Sequence, residues 1–308
     1  MNYLFRTLTA SLLGMACCIG FTACSDDDDN HKEDGGNPII PIVHPEKVFK
    51  KGLPKSVSDM TITQNKEGLV TKITTQSGEK AVFEYAFLST RSVSNINQAR
   101  ITVTDESGDV TQLNLLLNQD GFVKACHSVD HAGTPEADTF TWEMKYDEDG
   151  HLIEMRRSES DGELTKLTYK NGDVVATSTQ SFLDLGGEDI NGDGKIDNLD
   201  VRPDTEIQYT NDKISTPIEN KGCLMMFEEL LDVDMDEMIY AYYGGMLGTA
   251  TKHLPVKQRM PNGLDADGFH FIDYTFDWTM NGQQYPTRLT IKSKSEEGSS
   301  EDNFSFSW

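Results

Sequence analysis

The chain has 308 residues and a mass of 34.4 kDa, enough for one or two domains, since domains usually hold on the order of 100–200 residues. Its 27 basic and 51 acidic residues give a formal net charge of −24, which excludes an ordinary nucleic-acid binder, because such proteins need a positive surface. A hydrophobic fraction of 37% and an aromatic fraction of 9% exclude a disordered chain and predict a folded, acidic body.

Residues 1–23 are typical of a lipoprotein signal peptide. Arg6 is their only charged residue, an apolar stretch follows, and the small pair Thr22-Ala23 directly precedes Cys24. We predict that the signal peptide is removed and that Cys24 becomes a lipidated N-terminus, which tethers the protein to a membrane without spanning it. An ordinary secretory signal and a transmembrane anchor are the alternatives; the apolar run is short for a membrane span of about 20 residues.

An acidic block, Asp26–Asp29, follows the predicted lipidation site, and polar, glycine-containing sequence comes after it. A charge run of this kind cannot be buried, so residues 24–54 are predicted to be a flexible, solvated tether. The block also resembles the surface-export signal of Bacteroidota lipoproteins, which implies an outer-membrane protein at the cell surface. A periplasm-facing lipoprotein with an incidental acidic linker is the alternative.

From about residue 45 onward the sequence predicts β-strands joined by tight turns. Apolar and polar residues alternate through 140–146, 272–278 and 304–308, so the apolar side chains of each stretch share one face of a strand. Glycine-containing pairs that favour hairpin turns separate the strands: Ser107-Gly108, Asp120-Gly121, Asp149-Gly150, Asp161-Gly162, Asn171-Gly172 and Asn281-Gly282. The pattern predicts an all-β, antiparallel meander.

Two cysteines remain besides the one predicted to carry lipid, namely Cys126 and Cys223. Outside the cytosol they could pair, but two isolated cysteines are not a disulfide framework, so the paired and the free states both stay open. Cys126-His127 with Asp130-His131 imitates a metal cluster. No second group follows at ligand spacing, and we predict a turn with polar residues there.

Residues 189–200 match a twelve-residue calcium-binding loop. Calcium takes about six to eight oxygen ligands, and such a loop supplies them around a sharp turn at a glycine, here Gly194. The predicted ligands are Asp189, Asn191, Asp193, the carbonyl of Lys195, Asp197 and Asp200. The terminal aspartate resembles dockerin and thrombospondin type-3 loops, and Pro203 disfavours a flanking helix. We predict a structural calcium site; a solvated acidic turn that binds no ion is the alternative.

Residues 223–247 depart from the strand pattern. They combine apolar residues at helical spacing with acidic residues on the other side, and they run into Gly244-Gly245 before Pro255. We predict an amphipathic helix or a helix pair whose apolar face covers a sheet or plugs a barrel mouth. An adaptable, methionine-rich binding surface is the alternative.

The segments 245–255, 274–277 and 285–290, together with the lipidation motif, the acidic tether and the hairpins, resemble one family. It is the family of uncharacterised Bacteroidota lipoproteins whose domain of unknown function has a porin-like fold. The resemblance covers about residues 55–308, implies an antiparallel barrel-like sheet and brings no known activity. A membrane-spanning barrel is the alternative, but it needs strands of about 9–11 residues, and the clearest alternating stretches run about seven.

The sequence contains no His-Glu-x-x-His, phosphate-loop or dinucleotide-binding motif, and we assign no catalytic residue. With 51 carboxylates, a glycosidase-type pair could be chosen almost anywhere, so a choice would carry no information. We therefore predict a surface-exposed, lipid-anchored binding or structural module of an outer membrane, with a glycan or protein ligand and no nucleic acid. An extracellular hydrolase of glycans or peptides is the alternative.

Overall fold

The structure is a computed structural model. It describes residues 40–41, 43–85, 87–88, 98–158, 162–181, 202–265, 268–295 and 298–308. The predicted signal peptide, the predicted lipidation site Cys24 and the predicted calcium loop at 189–200 lie outside the described residues.

Sixteen of the described strands form one closed antiparallel barrel. The elements in chain order are β1 (Ile40–Pro41), α1 (Pro45–Val48), β2 (Ser56–Val57), β3 (Met60–Gln64), β4 (Val70–Thr74), β5 (Lys80–Tyr85), β6 (Phe87–Leu88), β7 (Gln98–Thr104), β8 (Val110–Leu117), β9 (Val123–Asp130), β10 (Asp138–Tyr146), β11 (Leu152–Arg157), β12 (Glu163–Lys170), β13 (Asp173–Ser181), β14 (Thr205–Gln208), β15 (Ile218–Glu219), α2 (Phe227–Leu231), α3 (Ile239–Tyr243), β16 (His253–Leu254), β17 (Lys257–Asp265), β18 (Gly268–Met280), β19 (Pro286–Ser295) and β20 (Gly298–Ser307). Two small sheets, β1 with β6 and β15 with β16, lie outside the barrel order. The predicted all-β, barrel-like meander is confirmed, and the sheet closes.

The barrel closes where its first and last strands meet. Ser56 of β2 faces Ser307 of β20, and their hydroxyl oxygens lie 2.7 Å apart. The Nζ of Lys55 donates a hydrogen bond of 2.8 Å to the carbonyl oxygen of Trp308 beside this seam. Closure pairs backbone groups that an open sheet would leave exposed at its edges.

Alternation along the strands sorts the side chains into an apolar interior and a polar exterior. Trp142 and Met144 of β10 are each 4% exposed, whereas the residues between and beside them are exposed. Phe276 and Phe306 are buried in the same way on β18 and β20. The predicted one-sided strands at 140–146, 272–278 and 304–308 are therefore confirmed, and their apolar face is the inner one.

The outer face of the barrel is polar. Arg100 and Asn114 are joined by a hydrogen bond of 3.0 Å across β7 and β8, and Lys292 pairs with Asp277 at 2.7 Å across β18 and β19. Within the described ranges, Leu116 is the one large hydrophobic residue that is exposed, at 36%. A barrel surrounded by lipid would instead carry a continuous apolar band on this face.

Side-chain caps hold many of the hairpin loops. Asn65, Asn118, Asp147 and Asn281 each accept, through Oδ1, the backbone N–H groups two and four residues later, at 2.9–3.0 Å. Such caps explain why an Asn or Asp opens these loops. At Asn281-Gly282 the positive φ lies not at the glycine but at Gln284, at 64°, which corrects the predicted turn in detail.

Residues 223–247, here called the plug, fill the lumen. The plug contains the one-turn helices α2 and α3 and, between them, a 3₁₀ turn at Asp236–Met238. The predicted helix pair is present in this short form. Phe227 is 1% exposed, and Met238 and Tyr242 are 0% exposed, so the plug is core rather than an exposed methionine-rich surface.

The plug contacts strands on several sides of the barrel. Thr177 of β13 donates a hydrogen bond of 2.5 Å to the Leu231 carbonyl, and Val123 of β9 donates one of 2.8 Å to the Met246 carbonyl. The Cβ position of Gly244 would lie 3.0 Å from the ring of Phe83 on β5. These strands are well separated around the closed sheet, so a segment that contacts all of them lies inside it.

The folded part of the chain begins earlier than predicted. Val43, Val48 and Phe49 are 2–4% exposed, and the Phe49 ring packs against Tyr242 with centroids 5.5 Å apart. The predicted tether boundary at residue 54 is therefore wrong for these residues, because their apolar side chains cover the plug. No helix in the described part of the chain is long and apolar enough to cross a membrane.

Candidate functional site

The barrel has two different ends. Because the strands alternate in direction, the loops β3–β4, β8–β9, β10–β11 and β18–β19 lie at one end, together with α1 and both ends of the plug. We call this the closed end, since α1 and the plug cross it. The opposite end carries the loops β2–β3, β4–β5 and β7–β8 and the turn of the plug at 232–237. We call it the acidic end.

Backbone hydrogen bonds tie the end of the plug and the segment that follows it to the wall at the closed end. They join Val123 N to Met246 O at 2.8 Å, Thr249 N to Gly150 O at 2.9 Å and Lys252 N to Gly172 O at 2.8 Å. Gly248 lies between these bonds with a φ of +84°, and a Cβ at this position would collide with the Gly150 carbonyl. Only glycine meets both requirements without strain.

Two histidine–aspartate pairs strengthen the closed end. His253 donates its backbone N–H to Asp173 Oδ1 at 2.8 Å, and its Nδ1 lies 2.7 Å from Oδ2. His151 makes the same two contacts with Asp147, at 2.9 Å each. Burial opposes ionisation of Asp147, but the hydrogen bonds and charge of His151 outweigh it and hold the pKa of Asp147 below its usual value. The carboxylates of Asp147 and Asp173 thus stabilise the closed end through hydrogen bonds to these histidines.

Asp147, Asp149 and His151 form the one group in the described ranges whose Asp, Glu, His or Cys ligand atoms all lie within 4.8 Å of one another. Oδ1 of Asp147 already accepts two backbone N–H groups of its hairpin, and Oδ2 contacts His151. Asn118 and Asn281 form the same cap with an amide. Hairpin capping therefore explains this cluster.

At the acidic end, the turn of the plug is anchored to the wall through its carboxylates. Oδ2 of Asp232 accepts hydrogen bonds from Thr205 Oγ1 at 2.6 Å and from Arg202 Nη2 at 3.1 Å. Arg157, whose side chain is 8% exposed, pairs with Asp236. These contacts fix the turn but leave other carboxylates of this end without such partners among the described residues.

A cavity of about 310 Å³ opens beside the plug at this end, and we call it the acidic cavity. Three carboxylates line it, Asp59 from the β2–β3 loop, Glu79 from the β4–β5 loop and Glu229 from α2. The hydroxyl-bearing Tyr243 lines it as well, and no lysine, arginine or histidine is among its lining residues. Its apolar wall includes Met60, Met226, Ile239 and Phe304.

The electrostatics of the acidic cavity favour positive charge. Burial raises the pKa of Glu229, and the neighbouring Glu228 carboxylate adds to this shift. Burial also raises the pKa of Tyr243, with the charge of Glu229 acting in the same direction. Tyr240 donates a hydrogen bond to Glu79. A carboxylate whose ionised form is disfavoured in this way gains most from a nearby cation.

The predicted calcium ligands Asp189, Asn191, Asp193, Lys195, Asp197 and Asp200 fall outside the described residues. No described residue tests this prediction.

Cys126 and Cys223 are both free thiols. Cys126 is 3% exposed inside the barrel, and burial raises its pKa to about 12, whereas the neighbouring His127 is exposed on the outer face. The predicted polar turn at Cys126–His131 is wrong, because β9 runs to Asp130 and pairs with a strand on each side. Adjacent strand residues point to opposite faces, so this cysteine and histidine cannot share a metal ion.

Sequence reasoning did not bring Asp59, Glu79 and Glu229 together. They belong to two loops and a helix that are far apart along the chain, and no spacing connects them. Glu229 and the exposed Glu228 both sit between the buried residues Phe227 and Leu230, so the apolar spacing does not single out Glu229.

Comparisons with known proteins identify the fold. The profile of a family described as a domain of unknown function (DUF4595) with porin-like fold matches residues 57–288. The crystal structure of a porin-like protein from Bacteroides uniformis ATCC 8492, at 2.32 Å resolution, is similar, with a TM-score of 0.50 and 18% sequence identity over 80% of this chain and 88% of that chain. This likeness concerns the fold alone. A search of curated proteins gives no match.

Proposed function

Since the chain belongs to the family of domains of unknown function with a porin-like fold, we propose that it is a lumen-filled barrel that stands in water beside an outer membrane and serves as a binding or structural module. In this proposal, lipid on Cys24 holds the barrel at the membrane, and the acidic block Asp26–Asp29 directs it to the cell surface. A glycan or a protein is the ligand class that such a position allows.

The filled lumen carries this proposal. Porin barrels of about 16–18 strands enclose a water-filled channel. Here the corresponding space holds the plug, in which Phe227, Met238 and Tyr242 are at most 1% exposed. Interiors packed in this way leave few voids larger than a water molecule, so a conducting path along the plug is not expected.

The polar outer face supports a barrel in water. Its strands pair Arg100 with Asn114 and Lys292 with Asp277, contacts that would be costly in hydrocarbon. The described chain enters the barrel through α1 at the closed end.

Two measurements on one preparation test whether the barrel conducts ions and whether it inserts into a membrane. Residues 38–308, which form one compact unit, are expected to stay soluble without detergent and to add no conductance to a planar bilayer in which a porin gives stepwise currents. Stepwise currents from this protein, or a requirement for detergent, would overturn the proposal.

The anchor is tested in cells. Incorporation of a fatty-acid label into the full chain is expected to disappear in Cys24→Ala, and added protease is expected to digest the wild-type protein on intact cells. Label that persists in the variant contradicts lipidation, and protection from protease contradicts surface display.

We also propose that residues 189–200 bind one calcium ion as a structural clamp, with an affinity between roughly micromolar and millimolar. An ion that binds only the folded protein raises its melting temperature. Asp193→Asn is expected to remove the calcium-dependent rise in Tm, while Asp204→Asn, an exposed aspartate outside the loop, keeps it. A Tm that ignores several millimolar calcium in all three proteins contradicts the site.

An extracellular hydrolase remains the second prediction for this chain. Turnover of a glycan or peptide panel at a rate that Glu229→Gln abolishes would favour it over the binding module.

A further inference from the structure

We propose that the acidic cavity binds an alkylammonium group, that is, a primary amine on a short apolar stem. This inference rests on the proposed function, because it names the ligand class of a binding module. It concerns Asp59, Glu79, Glu229 and Tyr243, which the cavity brings together at the acidic end.

The charge balance of the acidic cavity is the first argument. It has three carboxylates and no basic side chain among its lining residues, and no ion pair joins Asp59, Glu79 or Glu229 to any residue within the described ranges. A neutral ligand such as a sugar would displace water from the partly buried Glu79 and Glu229 without compensating their charges, whereas Asp59 is exposed and stays solvated. A cation compensates them, and the net charge of −24 raises its local concentration.

The hydroxyl of Tyr243 is the second, independent argument. Tyr243 is 1% exposed, yet it lines the cavity, and no group in the described part of the chain hydrogen-bonds its hydroxyl. Glu229 acts on it through charge alone. This hydroxyl is not among the fully buried unpartnered atoms of the described residues, so it keeps contact with the cavity, where a donor can reach both Tyr243 and Glu229. An ammonium group carries three N–H donors.

The shape of the cavity selects an organic cation over a metal ion. The ligand atoms of its three carboxylates do not form a group within 4.8 Å, unlike those of Asp147, Asp149 and His151. Met60, Ile239 and Phe304 provide an apolar wall that can cover methylene groups. A volume of about 310 Å³ is at the small end of ligand pockets and matches a short alkyl stem.

The first test compares three probes of similar stem length and one neutral monosaccharide by calorimetry at physiological salt. Cadaverine and pentylamine are expected to bind, and 1-pentanol is expected to bind at least about tenfold more weakly, because it lacks the charge. Equal affinity for pentylamine and pentanol would mean that the cavity recognises only the apolar stem, and a tighter-binding neutral monosaccharide would mean a sugar site. Either result overturns the proposal.

The second test uses a matched pair of variants on α2. Glu229→Gln is expected to weaken cadaverine binding at least about tenfold, while Glu228→Gln, which removes the same charge from an exposed neighbour outside the cavity, changes it less than about twofold. Equal losses in both variants would mean diffuse attraction to an acidic surface and would contradict the site.

Tyr243→Phe keeps every charge and, if folded by circular dichroism, is expected to bind several-fold more weakly; unchanged binding overturns the role of the hydroxyl.

The source of the amine is decided by two further probes. Nα-acetyl-lysine methylamide represents a lysine side chain within a protein, whereas cadaverine represents a free diamine. Tighter binding of the first indicates a protein partner, and of the second a soluble amine; binding of neither overturns the inference. The bilayer measurement on the barrel contains no amine, so its result separates a failure of this inference from a failure of the proposed function.

Discussion

Carboxylates at the closed end and in the acidic cavity have opposite surroundings. At the closed end, Asp147 and Asp173 each accept a backbone N–H and contact a histidine. At the acidic end, Glu79 and Glu229 line a cavity without basic residues. The carboxylates at the closed end are held by hydrogen-bond donors, whereas those of the acidic cavity face a space with no basic side chain among its lining residues.

The pKa shifts of Asp147 and Glu229 show this difference. The pKa of Asp147 is lowered, since the contacts of His151 outweigh burial, and the pKa of Glu229 is raised, since burial dominates. A carboxylate with donors stabilises the fold, whereas one without them reduces stability until a ligand supplies the missing charge. The comparison therefore separates structural from functional acids without reference to their position in the sequence.

The largest expected effect comes from a substitution in the plug, which packs against the barrel wall at both ends. Phe227→Ala deletes a ring that is 1% exposed and packs 5.5 Å from Tyr242, and we expect a loss of about 3–5 kcal/mol in the free energy of unfolding. Urea denaturation followed by tryptophan fluorescence measures it. Leu116→Ala on the outer face is the control and is expected to cost less than about 1 kcal/mol; similar losses in both variants would contradict a packed plug.

A smaller effect breaks the closed end alone. Gly248→Ala places a Cβ against the Gly150 carbonyl at a φ of +84°, and we expect a loss of about 2–4 kcal/mol. Gly263→Ala is the matched control, because its φ of +93° is similar but nothing lies within 4 Å of the Cβ position. A difference between the two variants measures the close approach itself, and equal losses would show that only the backbone angle matters.

The third prediction tests whether the charge of Asp147 stabilises the fold. Asp147→Asn keeps the hairpin cap, as Asn118 demonstrates, but removes the charge beside His151, and we expect a loss of about 1 kcal/mol at pH 7. Because the folded pKa of Asp147 is lowered, its stabilising charge is fully present above the unfolded pKa of about 4 and is lost as the pH falls through the folded value. Urea denaturation at pH 7 and pH 3 is expected to show the difference shrinking; a constant difference would contradict the charge effect.

The smallest expected effect has the opposite sign. Glu229→Gln removes a carboxylate whose folded pKa is raised, so we expect a gain on the order of 1 kcal/mol at pH 7. The penalty of the wild-type group exists only where it is ionised, so the gain should vanish below the unfolded pKa of about 4. The same series of urea denaturations measures this variant. A loss of stability at pH 7 would mean that the Glu229 carboxylate stabilises the fold, as that of Asp147 does.

Local order could be predicted from the sequence because it depends on neighbouring residues. The alternation at 140–146 and the Asn171-Gly172 turn are decided within a few residues, and the structure contains both. The existence of a helix pair at 223–247 was also accessible. Its insertion into the lumen was not, since the same apolar face would serve equally to cover a sheet from outside.

Long-range order could not be predicted, for a physical reason. Barrel closure requires Val57 to face Phe306, and the acidic cavity requires Asp59 and Glu79 to meet Glu229. These contacts follow from the summed registers of all intervening strands, and a sequence with 51 acidic residues offers no way to choose among them. Whether Cys126 and Cys223 form a disulfide could not be decided from the sequence for the same reason, and the structure shows both as free thiols.

The seam between β2 and β20 also governs the order in which the chain can mature. Hairpins such as β3–β4 and β18–β19 close locally, but Ser56 must wait for Ser307, which lies 251 residues later in the sequence. Contacts of such sequence separation form slowly, so the folding chain carries two unpaired sheet edges until β20 pairs with β2. Removal of β20 would leave those edges available for pairing with other chains, so this one strand protects the whole sheet from edge-to-edge association.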